Sequence, residues 1–373
     1  MKFLSVFNAK NAKNKTNILF ICPYPVGQSP SQRFRFEQYF ELLRSNDYHF
    51  IVRPFISEST WEILYKQGHY LKKALGIIRG FIKRFLLIPA ISQYDIVFIH
   101  REATPFGPPW IEWIAAKIFK KRIIYDFDDA IWMKDESNER RLISLLKCRK
   151  KIKSIIKWSW KISCGNQFLK DYASQYNINS FLNPTTIDTE NLHKIQAYGS
   201  NKKNNIVIGW TGSHSTVKYL DSLYPVFLAL SKKHGNIKFI VIANVKPTIS
   251  LETLHFIEWN IQTEIEDLAK IDIGTMPLPD DEWSKGKCGF KLLQYMALGI
   301  PCIGSKVGAN LDIVEDGING FLCSSEEAWF QSLEKLIKDE NLRSTIGRNG
   351  RKTIVNKYSV QSNEGNFLKL FNL

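Results

Sequence analysis

The stretch SKGKCGFKLLQYMALGIPCIG, residues 284–304, joins a charged loop to a helix pattern and a strand pattern. A loop rich in glycine and lysine leads into an apolar helix pattern over residues 290–299, and a Gly-Ile-Pro stop and a short apolar strand follow. Lys285, Lys287 and Lys291 stand near the start of this helix, where the backbone dipole is already positive. The stretch therefore predicts that an anion such as a phosphate group binds there. The alternative is that the lysines only solvate an exposed loop.

The helix itself shows two faces. Phe290, Leu293, Met296 and Ala297 form a predicted core stripe, whereas Lys291 and Gln294, three residues apart, point together on another face. The sequence thus predicts that Lys291 and Gln294 face a ligand site.

The same alternation of strand and helix extends over the whole chain. Apolar strand patterns include NILFICPYP, YDIVFIH and KRIIYDF in the first half, and NIVIGW, IKFIVIA and IDIGTMPL in the second. This alternation predicts an α/β protein with two Rossmann-like, doubly wound parallel sheets facing a central cleft. The predicted domains are residues 1–186 and 187–373, with a hinge near residues 181–188 and a final helix that packs back on the first domain. Ligands of such sheets bind outside the carboxyl ends of the strands.

The net charge of +15 is concentrated in the first half of the chain. Residues 1–183 contain 30 Lys and Arg against 15 Asp and Glu, whereas residues 184–373 contain 21 of each. This asymmetry predicts an anionic partner for the first half. A nucleic acid would fit the charge, but no nucleic-acid-binding motif accompanies it, so the sequence predicts no such partner.

The six cysteines are scattered, without a CxxC pair or metal-ligand spacing, which predicts a reducing cytoplasm and no structural zinc.

Residues 272–323 resemble the donor-binding region of retaining GT-B glycosyltransferases, specifically glycosyltransferase family 4. The resemblance lies in the helix of the opening stretch, its Gly-Ile-Pro end, and the later VG…D…I…G.NGF pattern. IGWTGSHSTVKYL resembles the family's strand, loop and helix that receive the donor diphosphate, and HREATPFGPP and YDFDDAIW resemble a branch associated with bacterial surface polysaccharides. The resemblance spans essentially residues 17–370 and implies a GT-B architecture.

The resemblance also implies a set of donor-binding residues in the second domain: Gly212, Ser213, Lys218, Lys287, Lys291, Gln294 and Gly308. Two positions depart from the family pattern. The two glutamates expected before and within the helix fall on Gly286 and Gln294. Gln294 can still donate and accept hydrogen bonds, but it carries no charge.

In the first domain, candidate residues lie after the predicted strands. Arg33 and Arg35 are predicted in the first turn of a helix, where they would bind a phosphate of donor or acceptor. His100 and Glu102 are predicted to be catalytic and Arg101 to contact the acceptor, although a lone histidine often has only a structural role.

Asp126 and Asp128 share one side of a strand end. The family's usual histidine near this strand end is missing, and the resemblance implies that Asp128 takes its catalytic role; Asp126 is predicted to contact the acceptor. The alternative is that Asp128 or Asp129 caps a helix. Two carboxylates make a poor metal site, so we expect neither a metal nor another cofactor.

Two basic segments with apolar neighbours, KCRKKIKSIIKWSWK at 147–161 and LKKALGIIRGFIKRFLLIPA at 71–90, suit an interfacial helix on anionic lipid. The alternative for each is a helix packed on the sheet with a solvated basic face.

Together these features predict a retaining glycosyltransferase that moves a sugar from a nucleotide sugar to a lipid-linked or polysaccharide acceptor. It would be cytoplasmic and peripheral on the inner membrane. The alternatives are a nucleotide-sugar 2-epimerase of the same fold and a catalytically weak binding subunit.

Overall fold

The structure is a computed structural model that describes residues 16–134, 144, 146–195 and 205–372 of the 373-residue chain. It contains two six-stranded parallel sheets, which confirms the predicted two-sheet α/β architecture. The first sheet ends at Leu182 and the second begins at Ile206, and the domain boundary at residue 186 stays a prediction.

The first sheet has the spatial order β2-β1-β3-β4-β5-β6. Its strands are β1 (Asn17–Cys22), β2 (His49–Pro54), β3 (Ile96–His100), β4 (Arg122–Phe127), β5 (Lys161–Cys164) and β6 (Ser180–Leu182). Strands β1, β3 and β4 are almost wholly buried, because helices cover both faces of the sheet. This burial explains why their sequences are continuous apolar runs.

The helices of this half are α1 (Pro30–Arg33), α2 (Phe40–Ser45), α3 (Glu58–Leu64), α4 (Tyr70–Ile91), α5 (Trp110–Trp113), α6 (Lys151–Trp158) and α7 (Gln167–Ser174). A 3-10 segment at Glu37–Tyr39 precedes α2, and a π segment at Ile114–Ile118 follows α5. None of the described helices is both long enough and apolar enough to cross a membrane.

The second sheet has the order β12-β11-β10-β7-β8-β9. Its strands are β7 (Ile206–Gly212), β8 (Ile237–Ala243), β9 (Leu254–Glu258), β10 (Ile273–Met276), β11 (Cys302–Ser305) and β12 (Phe321–Cys323). The helices are α8 (Tyr224–Lys233), α9 (Glu264–Leu268), α10 (Glu282–Lys285), α11 (Phe290–Ala297), α12 (Asn310–Ile313), α13 (Glu326–Lys338), α14 (Glu340–Thr353) and α15 (Val360–Leu368). A 3-10 segment at Val217–Leu223 precedes α8, and a π segment at Ile354–Tyr358 precedes α15.

The last helix packs on the first sheet. The rings of Tyr39 and Phe367 stack with their centroids 4.1 Å apart, and Phe371 joins the aromatic cluster around Phe20 and Phe98. The chain therefore crosses back to the first domain after building the second sheet.

Three local predictions were wrong. The helix expected to hold both Arg33 and Arg35 in its first turn is only the four-residue α1, so Arg33 ends that helix and Arg35 lies beyond it. The buried face of α11 is wider than predicted, because Gln294 and Tyr295, expected on the other face, are buried as well. The interfacial reading of residues 147–161 fails because the isoleucines of α6 lie in the core of the first domain.

Candidate active site

The two domains meet where the carboxyl ends of their strands face each other. The Lys287 ammonium lies 3.0 Å from the Asp129 carboxylate, and the Cys288 thiol donates to the carbonyl of Asp128 over 3.2 Å. The Asn166 amide donates to the carbonyls of Lys285 and Lys287 over 3.0 and 2.9 Å. The loop between α10 and α11 is thus held against the first domain.

Asp126, at the end of β4, is the centre of a buried polar cluster. Its carboxylate accepts hydrogen bonds from Arg35 and Ser163 and lies 2.7 Å from Nδ1 of His100. Burial alone would raise the pKa of Asp126, but Arg35 and His100 hold it well below its usual value. Arg35 also donates to the carbonyl of Asn183, which follows β6.

This cluster differs from the predicted roles of its members. Arg35, His100 and Asp126 have almost no exposed surface, and they hold the ends of β3, β4 and β5 together. Arg35 is engaged by Asp126, so it does not present its charge to an acceptor or phosphate in this arrangement. These three residues therefore position the loops of the site.

Asp128 and Arg101 form the next layer towards the cleft. The Arg101 guanidinium donates to Oδ1 of Asp128 over 2.7–2.8 Å, and both side chains keep partial exposure. Burial would raise the pKa of Asp128, but Arg101, His100 and Arg35 keep it below its ordinary value. Arg101 has a φ of 60°, a left-handed conformation that costs free energy in a non-glycine residue and is often found at functional sites.

Glu102, just after the end of β3, is a third carboxylate near the cleft. Its Oε2 lies 2.8 Å from the ammonium of Lys151, which is itself buried and also donates to the carbonyl of Thr104. Glu102 remains about a quarter exposed. Asp128 and Glu102 are thus acidic candidates that retain some access to solvent.

On the donor side, Lys291 lies in the first turn of α11 with its ammonium 5.3 Å from the centre of the Trp210 ring. Burial and the neighbouring Lys287 lower the pKa of Lys291 to about 7. The Trp210 ring in turn leaves no room for a side chain at Gly212, where an added Cβ would come within 2.5 Å of it. The end of β7 and the start of α11 are therefore in contact through Lys291, Trp210 and Gly212.

Tyr295, one turn further along the same face of α11, adds a second contact to the end of β7. Its hydroxyl accepts a hydrogen bond of 2.9 Å from the backbone N–H of Thr211, just before the loop that carries Ser213. Lys218 lies in the 3-10 segment after that loop, with its ammonium 5.2 Å from the Tyr219 ring. The Ser213 hydroxyl bonds to that of Ser215.

Gly308 completes the predicted donor set, in the loop after β11. It has a φ of 54°, and an added Cβ would lie 2.8 Å from the backbone of Lys285. A glycine is required here because the two loops approach each other so closely.

The structure explains one departure from the family pattern. A Cβ at Gly286 would lie 2.6 Å from the Cβ of Ala130 in the first domain, so no glutamate fits at this position in the present arrangement.

At the other departure, the structure reveals a carboxylate that the sequence analysis missed. The Gln294 amide donates to Glu264, at the start of α9, over 3.4 Å, and the second oxygen of Glu264 pairs with Arg33 over 2.7 Å. Glu264 and Gln294 are both buried. Arg33 thus bridges the two domains, and a negative charge lies beside the position where the family pattern expects one. The acidic sequence TEIED shows only a charged helix start, which gave no sign of this pairing.

Part of the chain is similar to known proteins. Residues 205–339 match the family described as Glycosyl transferases group 1. The capsular polysaccharide biosynthesis glycosyltransferase CapM of Staphylococcus aureus is 28% identical over 167 residues, which cover 42% of this chain and 43% of CapM. The N-acetyl-alpha-D-glucosaminyl L-malate synthase of Bacillus anthracis is 32% identical over 76 residues, 20% of each chain. The match thus spans less than half the length of either curated relative.

Solved structures match over nearly the whole chain. A glycosyltransferase from Rickettsia africae has a TM-score of 0.67 at 15% identity and covers 96% of this chain and 98% of its own. HepE from Anabaena, in complex with UDP and glucose, has a TM-score of 0.63 at 14% identity, with coverage of 95% and 99%. The chain therefore has the two-domain GT-B fold of these structures, and its residues 205–339 are similar to the Glycosyl transferases group 1 family.

Proposed function

We propose that this protein is a retaining glycosyltransferase that moves a sugar from a nucleotide sugar to a lipid-linked or polysaccharide acceptor in surface glycan biosynthesis. The observation that carries the proposal is Lys291, a desolvated ammonium at a helix N-terminus, beside a second cation, Lys287. A desolvated ammonium beside a second cation, added to the positive end of a helix, favours a ligand with several negative charges. The diphosphate of a nucleotide sugar is such a ligand.

In this proposal the diphosphate lies between the start of α11 and the loop after β7. Lys291 and Lys287 would neutralise its charge, and Ser213, Lys218 and the backbone near Gly212 would complete the pocket. Gln294, with Glu264 beside it, would hydrogen-bond the sugar hydroxyls of the nucleotide, and Gly308 would let the loop after β11 approach the ligand. UDP and UDP-glucose are bound in HepE structures, which makes a UDP-sugar the first donor to test.

Transfer breaks the bond between the sugar's anomeric carbon and the diphosphate oxygen, and forms one to an acceptor hydroxyl. Negative charge develops on the departing diphosphate, where Lys291, Lys287 and the α11 N-terminus would stabilise it. In a retaining reaction the acceptor attacks from the face that the diphosphate leaves, so the diphosphate itself can take the acceptor's proton. Asp128 and Glu102, oriented by Arg101 and Lys151, would hold the acceptor hydroxyl, while His100 and Asp126 support them from below.

We propose that no metal is required. The oxygens of Asp126 are engaged by Arg35, Ser163 and His100, and Asp128 is paired with Arg101. The cations of the second domain would instead supply the positive charge that a metal provides in other enzymes.

The acceptor side of the proposal places the protein at the cytoplasmic face of the inner membrane as a peripheral protein. The excess of 15 positive charges over residues 1–183 supports it, since an anionic surface attracts such a domain.

The test is a thermal-shift screen of UDP-, GDP-, ADP- and CMP-sugars, because a ligand raises the stability of the state that binds it. We expect one nucleotide class to stabilise the protein and Lys291→Ala to weaken that binding by about tenfold or more, as for a lost hydrogen bond to a charged group. Lys238→Ala, which changes an exposed lysine on β8, is the matched control. Unchanged binding in a folded Lys291→Ala protein would overturn the donor assignment.

Product analysis separates the enzyme classes. Incubation of donor without acceptor yields an epimerised nucleotide sugar only if the protein is a 2-epimerase. Binding without turnover under any acceptor condition would favour a catalytically weak subunit, a reading that the absence of glutamate at Gly286 and Gln294 supports.

A further inference from the structure

Helix α4 carries a continuous apolar stripe on the outside of the first domain. Its members are between 45% and 75% exposed: Leu71, Leu75, Ile78, Ile82, Phe85 and Leu86. Their spacing of three, four and seven residues places them on one face of the helix. Six large apolar side chains on one exposed face are far more than the scattered singles of an ordinary surface.

The opposite face of α4 is fixed to the protein. Gly76 and Gly80 lie against Thr60 and Phe55 so closely that an added Cβ would come within 2.5–2.7 Å of them. The buried guanidinium of Arg84 donates to the carbonyls of Ala103, Arg53 and Cys22 over 2.7–2.9 Å. Because these contacts set the rotation of the helix, the stripe cannot turn inward without breaking them.

Cations border the stripe along one side. Lys72, Arg79 and Lys83 are exposed, and at 100° per residue they fall on one flank of the apolar face. Residues 63–94 contain no Asp or Glu at all. An apolar face with a basic border matches a bilayer surface with anionic headgroups, where apolar side chains enter the acyl boundary and cations stay among the headgroups.

Aromatic side chains extend the same surface beyond α4. The centroids of the Phe85 and Trp110 rings lie 4.2 Å apart. Trp113, in the same short helix as Trp110, is 44% exposed. Tryptophan is enriched at membrane–water interfaces because its ring is apolar and its N–H is polar.

We propose that the α4 stripe is the membrane-docking surface of this protein and that its partner is an anionic lipid bilayer. A second copy of the chain is a poorer partner, because an antiparallel two-fold contact would bring the same basic borders together. The inference rests on the proposed peripheral location and not on the transfer reaction. It replaces the segment at 147–161, whose isoleucines are in the core and whose Lys151 is buried against Glu102.

The test is co-sedimentation of the full chain with vesicles of pure phosphatidylcholine and of phosphatidylcholine with phosphatidylglycerol, over a salt series. The apolar variant is Ile78→Gln with Ile82→Gln, and its control is Ile318→Gln with Val355→Gln, two exposed apolar residues of the second domain. The charge variant is Arg79→Gln with Lys83→Gln, and its control is Lys153→Gln with Lys157→Gln on the exposed side of α6.

We expect binding to anionic vesicles alone, weakened about tenfold or more by the apolar variant. The charge variant should weaken binding about fivefold for each charge and reduce its salt dependence, and both controls should bind like the unchanged protein. All the substitutions are on exposed side chains, so unchanged thermal unfolding is expected and checks that the variants are folded. Nucleotide binding by the same variants should not change, which separates a failure here from a failure of the proposed function.

Three results would overturn the proposal: no binding to anionic vesicles, equal binding to both vesicle types, or full binding by the apolar variant. A dimer that dissociates in the apolar variant, with no vesicle binding, would assign the stripe to a second copy of the chain.

Discussion

Lys291 offers the sharpest test of the donor site, because its surroundings bring its titration close to neutral pH. Burial on the Trp210 ring and the charge of Lys287 lower the pKa of Lys291 to about 7. A bound diphosphate would place negative charge beside the ammonium and raise that pKa towards the ordinary value of about 10.4. Donor binding should therefore be accompanied by proton uptake at Lys291.

The size of this effect follows from the pKa of Lys291 in the protein without donor. Below that pKa, Lys291 is already protonated and donor affinity is at its full value. Above it, affinity falls as pH rises, because the proton must be taken up from solution. With a pKa of about 7, affinity should fall about fivefold between pH 7 and pH 8 and about tenfold per pH unit beyond that.

Isothermal titration calorimetry with UDP-glucose, or with whichever nucleotide sugar gives the largest thermal shift, measures this between about pH 6 and about pH 8.5. The diphosphate of a nucleotide sugar is fully ionised over this range, so its own titration does not contribute. Buffers with different ionisation enthalpies report the number of protons taken up.

Two variants isolate the contribution of Lys291. Lys291→Arg should keep most of the affinity and lose the pH dependence, because a guanidinium stays protonated. Lys291→Met should lose both, whereas Lys238→Met should behave like the unchanged protein. An affinity that is flat from pH 6 to pH 8.5 without proton uptake, or a slope that survives in Lys291→Met, would refute the reasoning.

Three further outcomes are expected. Asp129→Asn should tighten donor binding severalfold, measured by the same calorimetry, because it removes the anion that competes for Lys287; weaker binding would contradict this. Gln294→Glu places a second buried carboxylate beside Glu264, so the free energy of unfolding at pH 8 should fall by about 1–3 kcal/mol; an unchanged value would contradict the contact. Turnover should continue in EDTA, and activity that EDTA abolishes and Mg²⁺ or Mn²⁺ restores would show that the DFDD segment at 126–129 binds a metal.

The strands could be predicted because their burial is visible in local sequence. NILFIC and RIIYDF are continuous apolar runs since both faces of a parallel sheet are covered, and no distant residue is needed to see it. The end of the helix after β1 could not be predicted. Phe34 and Phe36 follow α1 and pack into two different hydrophobic cores, and this packing depends on distant residues and not on the local pattern.

The contacts within the site were harder to predict from sequence, for a related reason. Arg35 pairs with Asp126, 91 residues away, and Arg33 pairs with Glu264, 231 residues away. Sequence indicates that such residues follow strands and so lie at the same sheet edge, but it does not say which charges neutralise each other. The basic segments show the same limit, since α4 and α6 both combine isoleucines with lysines and only packing distinguishes the exposed face from the buried one.

The charge pairs across the cleft also bear on how a donor would enter. Lys287 with Asp129 and Arg33 with Glu264 each join a cation of one domain to a carboxylate of the other, and all four side chains are largely removed from water. A ligand that takes Lys287 must displace Asp129, and the displaced carboxylate must regain water, which requires the loops to separate. A neutral sugar offers no charge to offset this cost, whereas a diphosphate offers two. The pairs that hold the domains together would therefore favour the whole nucleotide sugar over its sugar alone, so that donor recognition and domain movement depend on the same four residues.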